Sequence, residues 1–491
     1  MPYVKTWQLI AVSAVAGLAL SVAAVAAAGP WDSGQRKAER DRAASRGLAG
    51  GADHGGGRAG ALSRGHRQGD SEPQAAPSAP GVLPGIGPGA PRTTGSGVAA
   101  ADSGQLAEAL RPLLADPALG TVRTASVIDT ATGRVLFESG AREAMTPAST
   151  TKIATAVAAL SALGPEHRIR TTVTPGAGPG EIVLVGGGDP SLTARKKSPA
   201  GSGGSLLALA ADTAQALKAA GTDSVRLGYD DTLFTGPARH PIGENPNIAP
   251  VTALAADEGR PDESTSGPVD RVEDPAKETA RSFAALLGER GIKVTAEPAK
   301  AKAPAGAQPL ATTLSTPLAG LVERMLTNSD NDIAEVLARQ TALASGQPAG
   351  FEGAEKAVTA RLAALGVDTA GARFADGSGL NRADRISTGL LAGLLAKAAD
   401  PQRPELRPVL TGLPVAGFTG TLRSRNAGTS PAAGLVRAKT GTLTGVNSLA
   451  GTVVDSSGRL LAFAFLTANA PEPGAAEKGL DKLAAAVARA S

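Results

Sequence analysis

Between residues 31 and 100 the chain holds 16 glycines and 6 prolines in 70 positions, a single aromatic residue, Trp31, and no sustained hydrophobic period. Such a stretch cannot bury enough apolar surface to offset the entropy lost on ordering, so residues 30–100 are expected to form a disordered linker rich in Gly, Pro and Arg. Folded structure must start beyond it. With only 8 Phe, 2 Trp and 2 Tyr in 491 residues, Ala, Leu and Val are left to build the core.

Ahead of the linker, Gln8 to Ala28 is apolar and uncharged, preceded by Lys5 and closed by Ala26-Ala27-Ala28. Residues 1–29 are therefore expected to be a signal peptide or, if uncleaved, a membrane anchor formed by residues 8–28. Arg36, Lys37, Arg40, Arg42 and Arg46 follow directly and oppose this, because positive charge normally stays on the cytoplasmic side. The formal surplus of +4 belongs wholly to this part: beyond residue 100, Lys plus Arg and Asp plus Glu number 39 each. A neutral folded region predicts no nucleic-acid partner.

Cysteine is absent, which excludes disulfides, a thiol nucleophile and Cys-based metal sites. Of four histidines, His54 and His66 fall in the linker, leaving His167 and His240. Neither lies in a metal-binding spacing, so no metal or cofactor is expected, and a Ser-His-Asp triad would have to use one of these two.

From Gln105, Leu106, Ala109, Leu110 and Leu113 recur at helical spacing. A hairpin is predicted from Val122 to Asp129 and Arg134 to Glu138, then a helix from Pro147 through Leu160. Strands are expected at Ile169 to Thr174, Ile182 to Val185, Ser224 to Tyr229 and Lys293 to Glu297, with helices at Leu206 to Ala219 and Lys277 to Glu289. Helices dominate from Pro317 until strands return at Gly434 to Thr440, Ser448 to Asp455 and Leu460 to Leu466, with a closing helix. The pattern is that of one α/β (α+β) body whose two halves are separated by an inserted α/β region.

Three short motifs carry chemistry. Ser149-Thr150-Thr151-Lys152 places a hydroxyl and an amine one helical turn apart on one face, where a neutral lysine can take the serine proton and no histidine is needed. Ser329-Asp330-Asn331 reads as a helix start before Ile333, Ala334, Val336 and Leu337; Ser424-Arg425-Asn426 is a weaker second match. Lys439-Thr440-Gly441, followed by Thr442, ends an apolar strand whose charge, hydroxyl and missing side chain suit a carboxylate lying along its edge. Singly, each also reads as ordinary structure: a helix cap, a second cap, an edge-strand lysine.

Together, in the order S-x-x-K, S-D-N, K-T-G, they form the set found in β-lactamases and penicillin-binding proteins. Gly186-Gly187-Gly188-Asp189-Pro190-Ser191-Leu192, Asp376-Gly377-Ser378-Gly379-Leu380 and Gly420-Thr421-Leu422 narrow it further. With these, residues 105 to 490 resemble the D-alanyl-D-alanine carboxypeptidase/endopeptidase family, the class C low-molecular-mass penicillin-binding proteins. The 180 positions between Ser149 and Ser329 suit that branch, which carries extra domains there; Asn381 departs from the Ser often found at its place. The resemblance implies a penicillin-binding-protein/β-lactamase-like transpeptidase fold, with a catalytic domain in two sequence halves, 101–166 and 308–491, around inserted domain(s) at 167–307.

It also implies roles. Ser149 would attack the bond between the last two D-alanines of a peptidoglycan stem peptide, with Lys152 as general base, its pKa lowered by burial and by Lys439. Ser329 would relay a proton to the leaving amine, and Asn331 would orient the substrate and help hold Lys152. Lys439, Thr440 and Gly441 would bind the substrate, and the backbone of Ser149 and Thr442 would form the oxyanion hole. Endopeptidase action, acylation by β-lactam antibiotics and an extracytoplasmic location would follow, with a membrane partner if the N-terminal segment is retained. Asp189, Asp376 and Ser378 read first as loop structure. The alternatives are a β-lactamase or esterase on the same scaffold, against which no E-x-x-L-N stretch stands between the second and third motifs, and a non-catalytic cell-wall-binding protein.

Overall fold

The computed structural model describes residues 103–197 and 202–490; the expected N-terminal apolar segment (1–29) and linker (30–100) lie outside the described residues. The chain runs α1 (Ser103–Leu114), β1 (Val122–Asp129), β2 (Val135–Ser139), α2 (Thr151–Leu163), β3 (Arg170–Pro175), β4 (Glu181–Val185), α3 (Leu206–Ala219), β5 (Ser224–Asp230), α4 (Pro275–Gly288), β6 (Lys293–Val294), β7 (Ala299–Lys300) and β8 (Ala311–Leu314). Then come α5 (Leu318–Asn328), α6 (Asn331–Ala344), α7 (Phe351–Ala364), α8 (Thr388–Ala398), α9 (Arg407–Thr411), β9 (Val436–Leu443), β10 (Val446–Val454), β11 (Leu460–Ala468) and α10 (Pro473–Ala488).

An antiparallel sheet of order β2-β1-β11-β10-β9 joins the two ends of the described sequence, with Val122 opposite Ala468. Strand β11 shows why it forms. Leu461, Phe463 and Phe465 point into a core shared with Leu106 and Leu110 of α1 and Leu480 and Leu483 of α10. Alternate residues Ala462, Ala464 and Leu466 enter a second core with α2, α5 and α8. Both faces are covered, so a strand that reads as a continuous apolar run still obeys the two-residue period. The small alanines on the second face let α2 lie deep, with every residue from Thr151 to Leu160 buried.

The region between α2 and α5 forms its own mixed sheet, order β6-β5-β4-β3-β8, with β7 also pairing β5. Helices α3 and α4 connect the parallel strands β4, β5 and β6 and supply Leu206, Leu209, Phe283 and Leu287 to a separate core. Two expected strands differ in extent. The one predicted to end at Glu297 stops at Val294, and pairing with β5 resumes at Ala299 after Pro298, which has no N–H to donate. The one predicted to end at Thr440 continues to Leu443, because β10 turns back only after Gly445, at φ 74°.

Candidate active site

The first motif is set by the turn before it. Residues Ala148–Thr150 form a single 3-10 turn ahead of α2, with Ala148 at φ 50°, a left-handed conformation that costs an alanine about 1 kcal/mol. Thr150 Oγ1 donates to the Pro147 carbonyl at 2.7 Å, and Ser448 Oγ of β10 donates to the same oxygen at 2.7 Å. Gly379 closes over the turn: a Cβ there would stand 2.0 Å from the Ala148 carbonyl oxygen. Ser149 is thereby held against the sheet, and Lys152 follows one turn later.

The Lys152 side chain is fully buried. Its Nζ lies 3.1 Å from Ser149 Oγ, 2.6 Å from Asn331 Oδ1 and 2.7 Å from the Ser378 carbonyl oxygen. Burial lowers its pKa to about 8, although Asp376, Asp330, Glu335 and Asp384 pull upward. Burial first, then the like charge of Lys152, push Lys439 well below the usual lysine range.

Ser329 does not open a helix, as the sequence suggests. It caps the C-terminus of α5 in the left-handed conformation (φ 60°, ψ 39°), and Asp330 caps the N-terminus of α6, accepting from Ile333 N at 3.0 Å. The reversal at one left-handed residue lets neighbours two apart serve different lysines: Ser329 Oγ accepts from Lys439 Nζ at 2.9 Å, Asn331 Oδ1 from Lys152. Asn331 Nδ2 donates to the Asn247 carbonyl at 2.9 Å.

On β9, Lys439 is fully buried and Thr440 Oγ1 donates to Thr421 Oγ1 at 2.9 Å. Gly441 is obligatory, since a Cβ would meet Ser448 Oγ at 2.2 Å and Ser149 N at 3.0 Å. Thr442 sends its hydroxyl to Glu477 Oε1 of α10 at 3.1 Å, leaving its main chain as what it offers the site. All three motifs are thus brought together. Ser424-Arg425-Asn426 does not bond Lys152 or Lys439; Arg425 pairs with Asp481 of α10 at 2.8 Å, and its charge adds to the repulsion on Lys439.

Sequence reasoning missed the carbonyls of Ser378 and Asn247, the Thr421 hydroxyl as partner of Thr440, and the convergence of buried acids under Lys152. Asp376 accepts from the N–H groups of Ser378, Gly379 and Asn381 at 3.1, 2.6 and 2.6 Å, so it is a turn residue as read. Asp189 likewise serves its own loop, accepting from Ser191 N and Oγ. Asp384, pushed to about 10 by burial and by Asp376, keeps its proton. Two buried groups have metal-like composition, His240 with Glu335 and Asp376, and Glu258 with Asp330 and Asp332. Both are already countered, the first by Arg339 and main-chain N–H groups, the second by Arg324 and Arg271.

Comparison with known proteins places this geometry. The profile of the D-Ala-D-Ala carboxypeptidase 3 (S13) family matches residues 106–267 and 260–487. The chain is 39% identical over 390 residues to carboxypeptidase DacB of Mycolicibacterium smegmatis, covering 77% of this chain and 83% of that protein. It is 31% identical over 448 residues to a D-alanyl-D-alanine carboxypeptidase of an Actinomadura species, covering 72% and 80%. Among solved structures, penicillin binding protein 4 of Haemophilus influenzae superposes with a TM-score of 0.63 at 22% identity, over 77% of this chain and 98% of that one, a likeness of fold.

Proposed function

The chain belongs to the D-Ala-D-Ala carboxypeptidase 3 (S13) family, and from that premise we propose that Ser149 is the nucleophile of a serine-type D-Ala-D-Ala carboxypeptidase acting on peptidoglycan stem peptides. The observation that carries the reading is the environment of Lys152. A neutral amine has two N–H donors and one lone pair. Asn331 Oδ1 and the Ser378 carbonyl, at 2.6 and 2.7 Å, take the two donors, which leaves the lone pair for the Ser149 hydroxyl at 3.1 Å. With its pKa at about 8, a useful fraction of Lys152 is neutral near neutral pH.

In this scheme the Ser149 oxygen attacks the D-alanyl carbonyl while its proton passes to Lys152. The N–H groups of Ser149 and Thr442 receive the oxyanion. Ser329, bonded to Lys439, gives its hydroxyl proton to the departing D-alanine amine and is refilled with the proton that Lys152 took. Water then attacks the acyl-enzyme, passing one proton to Lys152, which returns it to Ser149 as the acid leaves. Asn331 orients the substrate amide. Lys439 and Thr440 hold the terminal carboxylate along the edge of β9, against which Gly441 lets the turn bearing Ser149 pack closely; an arriving carboxylate favours the charged form of Lys439 that burial disfavours. The same site would cut D-alanyl cross-links, and β-lactams would acylate Ser149.

The substrate puts the catalytic body outside the cytoplasm. Among the described residues no helix is long and apolar enough to cross a membrane, so anchoring, if any, is assigned to residues 8–28, and residues 30–100 to a tether. The antiparallel sheet with its helices is assigned as the catalytic domain and residues 167–307 as inserted. Release of D-alanine from a model pentapeptide tests the assignment: Ser149→Ala is expected to lower kcat by on the order of 10⁶-fold, and full release by that variant would overturn it. Rapid turnover of a fluorescent penicillin, rather than a long-lived adduct, would favour the β-lactamase alternative.

A further inference from the structure

Two of the three partners of Lys152 are themselves held by one segment of the mixed-sheet region, the connection between β5 and α4. Asn247 fixes Asn331: its carbonyl accepts from Asn331 Nδ2 at 2.9 Å, which sets the amide so that Oδ1 faces Lys152. Two residues on, Ala249 N donates to Asp332 Oδ1 at 2.8 Å and ties the segment to the first turn of α6. At its other end is His240, 3% exposed, whose Nε2 lies 3.1 Å from Asp376 Oδ2 and 3.7 Å from Glu335 Oε1. Those two carboxylates hold the turn that aims the Ser378 carbonyl. Glu335 Oε1 accepts from Gly377 N and Ser378 N at 3.0 and 2.9 Å, and Asp376 accepts from Ser378, Gly379 and Asn381.

We infer that His240 is a positioning residue for the general base: with the Asn247 carbonyl, it makes the 240–249 segment a clamp that fixes both acceptors of the Lys152 amine and so keeps its lone pair on Ser149. The inference rests on the carboxypeptidase reading and gives the inserted region a part in the chemistry. Two carboxylates buried side by side need a donor between them, and His240 is the one brought from outside the catalytic halves. Arg339 reaches Glu335 Oε2 at 3.6 Å from the other side and stacks on Phe351, whose ring His240 meets edge-on at 5.2 Å; Asp384, protonated, supports Asp376. Burial lowers the pKa of His240, but Asp376 and Glu335 outweigh it and raise it to about 9. Ile242 N donates to Nδ1 at 3.3 Å in the neutral ring. In either state Nε2 stays 3.1 Å from Asp376 Oδ2, a close charged contact with its N–H out of line for a hydrogen bond.

Acylation by a fluorescent penicillin, with the binding constant and the acylation rate constant resolved separately on the full chain, tests the clamp. Misplacing a reacting group by about 1 Å costs about 10²-fold. His240→Ala is therefore expected to acylate about 100-fold more slowly, with noncovalent binding within about twofold of the parent. His240→Gln, whose amide N–H can replace Nε2–H, should recover at least about tenfold of the loss. His240→Phe keeps the ring against Phe351 without a donor and should match the alanine variant; should His240→Ala fail to fold, the Gln and Phe pair carries the comparison. Parental acylation by His240→Phe, equal rates for Gln and Phe, or a loss confined to binding would overturn the clamp. A parent chain that no penicillin acylates would overturn the hydrolase reading itself.

Discussion

The five-stranded and six-stranded sheets are covered by helices rich in the same aliphatic side chains, yet they differ in what else they bury. Under the mixed sheet the core of Leu184, Leu209, Phe283 and Leu287 is apolar. On its helices two buried hydroxyls close on their own turns, Thr213 on Leu209 and Thr279 on Pro275. Against the antiparallel sheet, Lys152, Lys439, Glu335, Arg339, Asp376 and Asp384 are all withdrawn from water. Burying that many ionisable groups is unfavourable unless each is paired. Lowered lysine pKa values and a protonated aspartate are how that cost shows itself. One region is built for stability; in the other, stability is given up for reactivity.

Substitutions should separate the two. The largest effect is expected from Lys152→Met, which keeps volume but removes the base: kcat/KM for D-alanine release should fall by about 10⁴-fold. Stability at pH 7 should rise by up to about 3 kcal/mol, because each unit by which burial lowers the lysine pKa represents about 1.4 kcal/mol. That gain should shrink as pH rises through about 8, where the folded parent sheds the buried charge before the unfolded chain does. A thermal melt showing marked loss of stability would break the contrast. Phe283→Ala should do the reverse, costing about 3–5 kcal/mol in denaturant unfolding while the acylation rate of the folded fraction stays at the parental value.

A smaller effect is readable without mutation. Because neutral Lys152 is the reactive form, kcat/KM should rise about tenfold per pH unit below pH 8 and flatten above it; a flat profile between pH 6 and 9 would remove lysine from the role. Least of all, Thr421→Val deletes the hydroxyl that accepts from Thr440 at 2.9 Å. A lost hydrogen bond of about 1 kcal/mol should raise KM about fivefold for a D-alanine-terminated peptide with kcat unchanged, and an equal fall in kcat would place Thr440 in the chemistry instead.

Much of this was legible in the sequence. The hairpin, the C-terminal strands and the helices have clear periods, and the three motifs lie together in the structure. What escaped has physical causes. Ser329 looks like a helix cap because Ser, Asp and Asn all cap helices; only φ 60° shows that it ends one helix while Asp330 begins the next. The carbonyls of Ser378 and Asn247 reach the site as main-chain atoms, which every residue type carries. The acids gathered under Lys152, Asp376, Asp330, Glu335 and Asp384, converge from segments far from it in the chain, a juxtaposition that spacing cannot reveal. How the repulsion between the buried amines of Lys152 and Lys439 is shared depends on those acids too, which spacing alone does not place.

The pairing of β3 with β8 has a consequence for how the chain reaches this state. Arg170 faces Leu314 across one ladder, so the mixed sheet leaves and rejoins the rest of the molecule at adjacent points. The antiparallel sheet needs Val122 to find Ala468, a search over most of the described sequence and of a kind that slows folding. Once β3 and β8 have met, the long excursion between them is closed, and α2 and α5 are delivered side by side as if joined by a short loop. That single pairing leaves the half carrying Ser149 and the half carrying Ser329 and Lys439 separated by a short effective loop, however many residues lie between them.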